Sequence, residues 1–119
     1  MGALTTTDLK NVMKKDPDFW GVFPIDRIPS TLPKSMDLKL IINLDPASKP
    51  GSHWVAIWRK NNVAYYFDSF GRIPPDIIRK WLIENTNSWI YNDSPMQTSN
   101  DKTACGYLCI SFLTNKFKI

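Results

Sequence analysis

Four residues along the chain have side chains that could together perform nucleophilic catalysis. Cys105 lies where a helix is predicted to begin, and His53 is the single histidine of the chain. A histidine can remove the proton of a cysteine thiol, and the thiolate can then attack a carbonyl carbon. Asp68 could accept the second ring N–H of His53, and Gln97 could donate an amide hydrogen to an oxyanion. The set therefore predicts acyl-transfer chemistry through a covalent intermediate.

Cys105 is predicted to occupy the first turn of its helix. Leu108, Cys109 and Phe112 follow it at helical spacing, and Thr103 precedes it as a candidate N-cap. Unpaired N–H groups and the helix dipole at such a position stabilise a thiolate and lower the pKa of the thiol. The alternative is that Cys105 is a small apolar core residue, because free cysteines are among the most buried residue types.

The second cysteine fits a core position better than a reactive one. Cys109 lies one turn after Cys105 within an apolar pattern. Side chains one turn apart on a helix rarely meet disulfide geometry, so the two thiols are not expected to pair. Two unpaired cysteines favour a reducing compartment over a secreted disulfide scaffold.

A β-hairpin is predicted to bring the histidine and the acid together. Residues 54–59 and 63–68 have strand composition, and asparagine tolerates the positive φ that tight hairpin turns require. A two-residue turn at Asn61 and Asn62 puts His53 diagonal to Asp68 on one face, roughly 7–8 Å away between backbones. A three-residue turn would put them on opposite faces unless a bulge intervened. The proposed pair therefore depends on the register.

The remaining patterns predict one domain over residues 1–119, long enough to bury a core without disulfides. The prediction includes both helices and strands. These are a helix that starts at Thr5-Thr6-Thr7-Asp8, an aromatic cluster at 19–23, an extended crossing at 24–33, a strand at 38–44, a helix that starts at Pro75 and ends by 85–88, and a strand at 89–92.

Composition excludes several classes of protein. No apolar run is long enough to cross a membrane, and one histidine with two cysteines lacks the spacing of a zinc site. The formal net charge of +4 is compatible with weak binding to nucleic acid, although solvated surfaces often carry such a charge. Five Trp, six Phe and four Tyr predict a core or a groove built with aromatic side chains.

Several motifs, taken in chain order, resemble the adenovirus-type cysteine proteases (adenain), which are related to the SUMO-protease group. The N-terminal part contributes a short helix and then Phe19-Trp20-Gly21-Val22-Phe23 and Pro24-Ile25-Asp26. The later motifs are Gly51-Ser52-His53-Trp54, Tyr66-Phe67-Asp68-Ser69-Phe70-Gly71, Gln97 and Ala104-Cys105-Gly106-Tyr107-Leu108-Cys109. The resemblance covers most of the chain.

The resemblance implies a fold and a role for each of four residues. The fold would be α+β, a papain-like or adenain-like core with a small mixed sheet packed against the helix that Cys105 heads. Cys105 would be the nucleophile, and His53 would be its base. Asp68 would orient the base, and Gln97 would be the oxyanion donor.

The resemblance also implies a substrate class and its contacts. The family cleaves proteins or peptides near small residues such as glycine, because a narrow aromatic groove excludes bulk. Trp54 would flank His53, and Gly106 would allow a substrate to approach the nucleophile closely. Both residues are therefore predicted to bind substrate.

Three departures from the adenoviral pattern concern length, acid and activation. The chain ends at Ile119, soon after the nucleophile helix, which makes it a short version of the family. The acid is Asp68, where the adenoviral enzymes have glutamate. No cysteine corresponds to the one that couples to an activating peptide, so no cofactor is expected to be required. DNA remains a candidate activator because the chain is basic.

Three hypotheses about function follow. The leading one is a thiol endopeptidase that matures virion proteins of a virus or virus-like element. It is expected to be a monomer, to act in the host nucleus or cytoplasm and in the virion, and not to bind a membrane. The second is an isopeptidase that removes ubiquitin or SUMO-type proteins with the same residues. The third is a non-catalytic basic module that binds nucleic acid through Lys14, Lys15, Arg59, Lys60, Arg72, Arg79 and Lys80.

Overall fold

A computed structural model of the chain describes residues 3–33, 36–49, 53–96 and 103–119. These ranges contain both helices and strands, with β-strands packed into one sheet, so the expected α+β fold is confirmed. The elements are α1 (Thr6–Met13), β1 (Phe19–Pro24), a 3₁₀ turn (Ile25–Arg27), β2 (Leu38–Asn43), β3 (Trp54–Lys60), β4 (Val63–Phe67), α2 (Asp76–Asn85), β5 (Ser88–Tyr91) and α3 (Ala104–Leu113).

The five strands form one mixed sheet in the order in which they occur in the chain. The outer pairs, β1 with β2 and β4 with β5, are parallel, and the inner pairs are antiparallel. Helices α1 and α3 cover one face, and α2 covers the other. The sheet is therefore buried on both sides, which explains why every residue of β2 is buried.

The hairpin of β3 and β4 has the register that the sequence predicted for a two-residue turn. Asn61 and Asn62 have φ values of 52° and 64°, the left-handed conformation that a tight hairpin turn requires. Lys60 pairs with Val63 directly beside this turn, and the regular pairing continues along both strands. The open end of the hairpin therefore has the side-chain parity on which the proposed site depends.

The aromatic cluster near the N-terminus is a strand, which the sequence analysis did not predict. Phe19–Pro24 forms β1 at the edge of the sheet, parallel to β2, with an irregularity in register between Phe19 and Gly21. Glycine and proline within a short run obscure the alternation that identifies strands. An edge position accommodates proline, because one side of an edge strand needs no partner.

Helix α3 packs against the sheet beneath β3 with an almost wholly apolar sequence. It contains no charged residue, and Cys105, Cys109 and Phe112 are among its buried positions. Such a helix is stabilised by burial on several sides. Thr103 occupies the predicted N-cap position, but its side chain makes no capping hydrogen bond. The position of α3 therefore depends on packing more than on its cap.

Helix α1, in contrast, begins with the capping arrangement that its sequence predicted. The Thr5 hydroxyl accepts from the Asp8 backbone N–H at 3.1 Å, and the Asp8 carboxylate accepts from the Thr5 backbone N–H at 2.9 Å. Leu9 and Met13 then face the core. None of the helices within the described ranges combines the length and the apolar character that a bilayer crossing needs.

Candidate active site

One end of the sheet brings together the histidine and the acid that the sequence singled out. His53 directly precedes β3, and Asp68 directly follows β4, so both lie at the open end of the hairpin. The His53 Nε2 atom lies 2.7 Å from the Asp68 Oδ1 atom, and both side chains are buried. The predicted contact between these two residues is confirmed. It exists because the two-residue turn gives them matching parity.

The turn formed by residues 68–71 fixes the position of Asp68. Asp68 is 1% exposed, and its Oδ1 atom also accepts a hydrogen bond of 2.8 Å from the Phe70 backbone N–H. Its carbonyl accepts from the Gly71 N–H at 2.7 Å. Gly71 has a φ of 70°, and a Cβ atom there would lie 2.8 Å from the backbone of Ser94 and Pro95. Only glycine fits this position.

The Phe70 side chain packs on the imidazole, and the sequence analysis assigned it no role in the site. The Phe70 ring stacks on the His53 ring with centroids 4.7 Å apart and planes inclined by 30°. The guanidinium of the exposed Arg72 lies 4.8 Å from the Phe70 ring centroid. The stack restricts rotation of the imidazole plane. Phe70 belongs to the motif that prompted the family resemblance, which is the signal that could have identified it.

The thiol of Cys105 lies beside the His53 side chain, near enough for each group to shift the pKa of the other. Since Nε2 of His53 contacts Asp68, Nδ1 is the ring nitrogen left for the thiol. Burial by itself raises the pKa of Cys105, but hydrogen bonds from His53 and from the backbone of Trp54 and Gly106, with the charge of His53, outweigh it. The pKa of Cys105 therefore lies below its ordinary value.

The pKa of His53 shifts in the opposite direction. Burial alone would lower it, but hydrogen bonds to Asp68 and Cys105 and the charges of both raise it to about 9. A lowered thiol pKa beside a raised imidazole pKa favours the thiolate and imidazolium forms of the two side chains. A pair of this kind can supply a nucleophile and a proton donor for acyl transfer.

Cys109, in the same helix, differs from Cys105 in the direction of its pKa shift. It is fully buried, and burial together with the charges of Cys105 and Asp68 raises its pKa well above the ordinary value. Cys105 is also buried, at 3% exposed, so burial does not distinguish the two. The contact with His53 does, and it favours the reactive interpretation of Cys105 over the core interpretation.

A buried asparagine supports the acid from the neighbouring strand. Asn92 directly follows β5, which is parallel to β4, so it reaches the same end of the sheet as Asp68. Its Oδ1 atom accepts from the Asp68 backbone N–H at 2.9 Å, and its Nδ2 atom donates to the Asp68 carbonyl at 2.5 Å. The sequence analysis placed Asn92 at the end of the predicted strand 89–92 and gave it no role, because a strand pattern does not show which residue its side chain contacts.

The two residues predicted to bind substrate contact each other and the N-terminal segment. A Cβ atom on Gly106 would lie 3.3 Å from the Trp54 ring and 3.2 Å from the Leu4 side chain. The Trp54 indole N–H donates to the Leu4 carbonyl at 3.1 Å. The close approach that Gly106 permits is thus made here by Leu4 and Trp54. Binding of substrate by Trp54 and Gly106 stays a prediction.

Gln97, the predicted oxyanion donor, lies outside the described residues, as do Gly51 and Ser52 of the histidine motif. No group of three or more His, Cys, Asp or Glu side chains in the described ranges is arranged to hold a metal ion. Within the described residues, the site therefore consists of His53, Asp68, Cys105 and the residues that contact them.

One residue proposed for nucleic-acid binding is not on the surface. Arg59 is completely buried and donates hydrogen bonds to the backbone carbonyls of Met36, Asn85 and Pro33. Strand alternation places it on the sheet face that α2 covers. Arg59 therefore cannot contribute to a basic binding surface.

Comparison with known proteins gives a match in structure but not in sequence. No family model matches the chain, and no curated protein matches it significantly. The crystal structure of the ASFV pS273R protease matches with a TM-score of 0.68 at 18% identity, over 97% of this chain and 57% of the protease. Its Se-Met form matches with a TM-score of 0.65 at 18% identity, over 97% and 58%. The chain thus spans less than two thirds of these proteases, and it is similar to them in fold.

Proposed function

We propose that the chain is a thiol peptidase in which Cys105, His53 and Asp68 form the catalytic triad. The observation that carries the proposal is the buried contact of 2.7 Å between His53 and Asp68, next to a thiol that His53 also contacts. The β3–β4 hairpin and the distant helix α3 converge to build this arrangement. The similarity in fold to a viral protease supports it.

The proposed reaction follows from the ion pair. The Cys105 thiolate attacks the carbonyl carbon of the scissile peptide bond and forms a C–S bond. His53 then gives its proton to the leaving amine as the C–N bond breaks. A water molecule, deprotonated by His53, attacks the thioester and releases the carboxylate product and the thiol. Asp68 keeps the imidazole in the required orientation throughout.

The developing oxyanion needs hydrogen-bond donors. We assign this role to the Gln97 amide together with the backbone N–H of Cys105, which belongs to the first turn of α3. The first N–H groups of a helix have no partner within the helix and are free to bind a negative charge. Gln97 joins the proposal through the family resemblance alone.

The finer proposal is that the chain is an adenain-type endopeptidase that matures virion proteins. Its substrates would carry small residues such as glycine near the cleaved bond, and Trp54 and Gly106 would contact them. It would act as a monomer in the nucleus or cytoplasm of the host and in the virion. No cofactor would be required, and DNA would at most increase the rate.

The test uses the purified chain under reducing conditions with three kinds of substrate. These are a peptide library, a ubiquitin-like protein joined through a lysine isopeptide bond, and the precursor proteins of a virion. New termini are identified by mass spectrometry, and Cys105→Ala serves as the matched control. We expect peptide cleavage near small residues that the control lacks.

Two outcomes would change the proposal. Selective cleavage of the isopeptide bond, with linear peptides untouched, would replace the endopeptidase with the isopeptidase. Absence of cleavage of every substrate, together with an unreactive Cys105 thiol, would overturn the peptidase. A rate that increases with added DNA and loses the increase as salt rises would support DNA as an activator.

A further inference from the structure

We propose that Asn92 is a positioning residue that holds the acid Asp68 in the geometry required for catalysis. The inference rests on the proposed function, because it concerns the same site. Asn92 is 8% exposed and uses both ends of its amide on the backbone of one residue, Asp68.

The amide of Asn92 replaces a strand partner that the sheet no longer supplies. The pairing of β4 with β5 ends at Tyr66 and Tyr91, two residues before Asp68. Beyond this point the backbone N–H and carbonyl of Asp68 are buried, and buried backbone groups need partners. A side-chain amide offers one donor and one acceptor in the arrangement of a peptide group. Asn92 thus extends the ladder by one residue at the point where the site begins.

Two more contacts attach the same segment to the turn that contains Asp68. The Met96 N–H donates to the Ser69 carbonyl at 2.7 Å. Gly71 lies so close to the backbone of Ser94 and Pro95 that no side chain fits between them. Residues 92–96 are therefore joined to residues 68–71 at three places.

These contacts fix the backbone of the proposed acid. Asp68 contacts His53 through its carboxylate, so a displacement of the Asp68 backbone would move the group that orients the imidazole. Loss of the Asn92 amide would therefore disturb a residue that acts in the chemical step. Trp54 and Gly106, which are proposed to bind substrate, are not part of this segment.

The test compares Asn92→Ala and Asn92→Asp with the unchanged chain. The alanine variant loses both hydrogen bonds to Asp68 and a third, of 3.3 Å, from Nδ2 to the Ser94 carbonyl. The aspartate variant keeps the shape and the acceptor but replaces the Nδ2 donor with a second carboxylate oxygen. We expect kcat for peptide cleavage to fall between about 10-fold and 10²-fold with little change in KM, because a displacement of ~1 Å near a reacting group can cost ~10²-fold.

A second measurement does not require peptide cleavage. The rate at which iodoacetamide alkylates Cys105 is measured against pH, with the adduct located by mass spectrometry. Only the thiolate reacts, so the midpoint of this profile reports the ion pair with His53. In the variants we expect the midpoint to move up toward about 8.5, the value of an ordinary thiol.

Other ionisable groups near the pair must be considered in this profile. Tyr66 on β4 is fully buried, and burial together with the charges of Asp68 and Cys109 raises its pKa. Cys109 on α3 also has a raised pKa, so both groups stay neutral while Cys105 titrates. The Arg72 guanidinium lies on the Phe70 ring, 4.8 Å from its centroid. Neither Tyr66 nor Cys109 produces the expected shift by its own titration.

Asn85→Ala is the matched control. The Asn85 amide also donates to a backbone carbonyl, that of Trp81 at 3.0 Å, but at the end of α2. The backbone N–H of the nearby Asn87 donates to the Asn62 carbonyl. Asn85 therefore lies near the turn end of the hairpin, opposite the site. We expect Asn85→Ala to lower the melting temperature without moving the alkylation midpoint.

The outcomes separate this inference from the proposed function. An alkylation midpoint near 8.5 in the unchanged chain, with no cleavage, would mean that the peptidase proposal fails. A low midpoint in the unchanged chain that Asn92→Ala and Asn92→Asp both leave in place, with kcat unchanged, would overturn the positioning role alone. If the alanine variant does not fold, the aspartate variant decides by the same two measurements.

Discussion

The two ends of the β3–β4 hairpin both bury a charged group, but they use it differently. At the turn end, Arg59 is 0% exposed and donates to the carbonyls of Met36, Asn85 and Pro33. These acceptors are neutral backbone groups, and a guanidinium does not lose its proton in proteins. The buried guanidinium at the turn end therefore joins segments of the chain through hydrogen bonds and does not exchange protons with them.

At the open end, the buried His53 and Cys105 can exchange a proton with each other. His53 lies between Asp68 and Cys105, with its pKa raised to about 9, while that of Cys105 is lowered. The difference between the two ends shows that a buried charge alone does not identify a functional site. A chain of titratable partners whose pKa values shift in opposite directions does so better.

The largest effect is expected at the open end, from Cys105→Ala. This substitution removes the nucleophile, and peptide cleavage should fall to background while the melting temperature changes little. The matched variant Cys109→Ala should retain activity and lose about 1 kcal/mol of unfolding free energy, a typical cost for a buried substitution. Full cleavage by a folded Cys105→Ala protein would contradict the assignment of the nucleophile.

Asp68→Asn should produce the next largest effect. His53 is protonated below its pKa of about 9, so activity should fall as pH rises through that value. The substitution removes the negative charge that raises this pKa, and the alkaline limb of the pH–rate profile should therefore move to lower pH. We expect kcat to fall by about 10²–10⁴-fold, the usual range for loss of acid–base catalysis.

The control for this prediction is Asp26→Asn, an exposed acid on the 3₁₀ turn. It should leave the profile unchanged. An alkaline limb that stays in place in Asp68→Asn would show that Asp68 does not determine the protonation of His53.

A substitution at the turn end should separate stability from activity. Arg59→Met leaves buried carbonyls without donors, and each such group costs ~1–3 kcal/mol, so we expect the unfolding free energy to fall by about 3 kcal/mol. The alkylation profile of Cys105 should stay unchanged in the folded protein. The surface variant Arg79→Met should cost far less. A changed profile in Arg59→Met would show that the two ends are coupled.

The smallest effect is expected in the turn itself. Asn62 has a φ of 64°, which glycine adopts without strain. Asn62→Gly should therefore change the unfolding free energy by no more than about 0.5 kcal/mol, as surface substitutions usually do. Urea denaturation measures this change, and kcat should be unaffected. A large loss of activity would show that the turn does more than establish the register.

The parts of the site that local patterns could predict are those set by short stretches of chain. The turn residues Asn61 and Asn62 predicted the register, and the register predicted that His53 and Asp68 would meet. The apolar spacing after Cys105 predicted its place in the first turn of a helix. The strand β1 (Phe19–Pro24) was missed, because glycine and proline hide its alternation. The role of Asn92 was missed because its partner, Asp68, is distant in sequence.

The sequence by itself determined the elements and the parity of the hairpin, because turn chemistry and side-chain alternation are local properties. Only the tertiary structure decided which end of the sheet α3 meets, and therefore which cysteine contacts His53. It also decided that Asn92 reaches Asp68, since the parallel pairing of β5 with β4 joins segments that local propensity does not connect. The pKa shifts of Cys105 and His53 follow from this convergence, because desolvation and charge depend on neighbours in space.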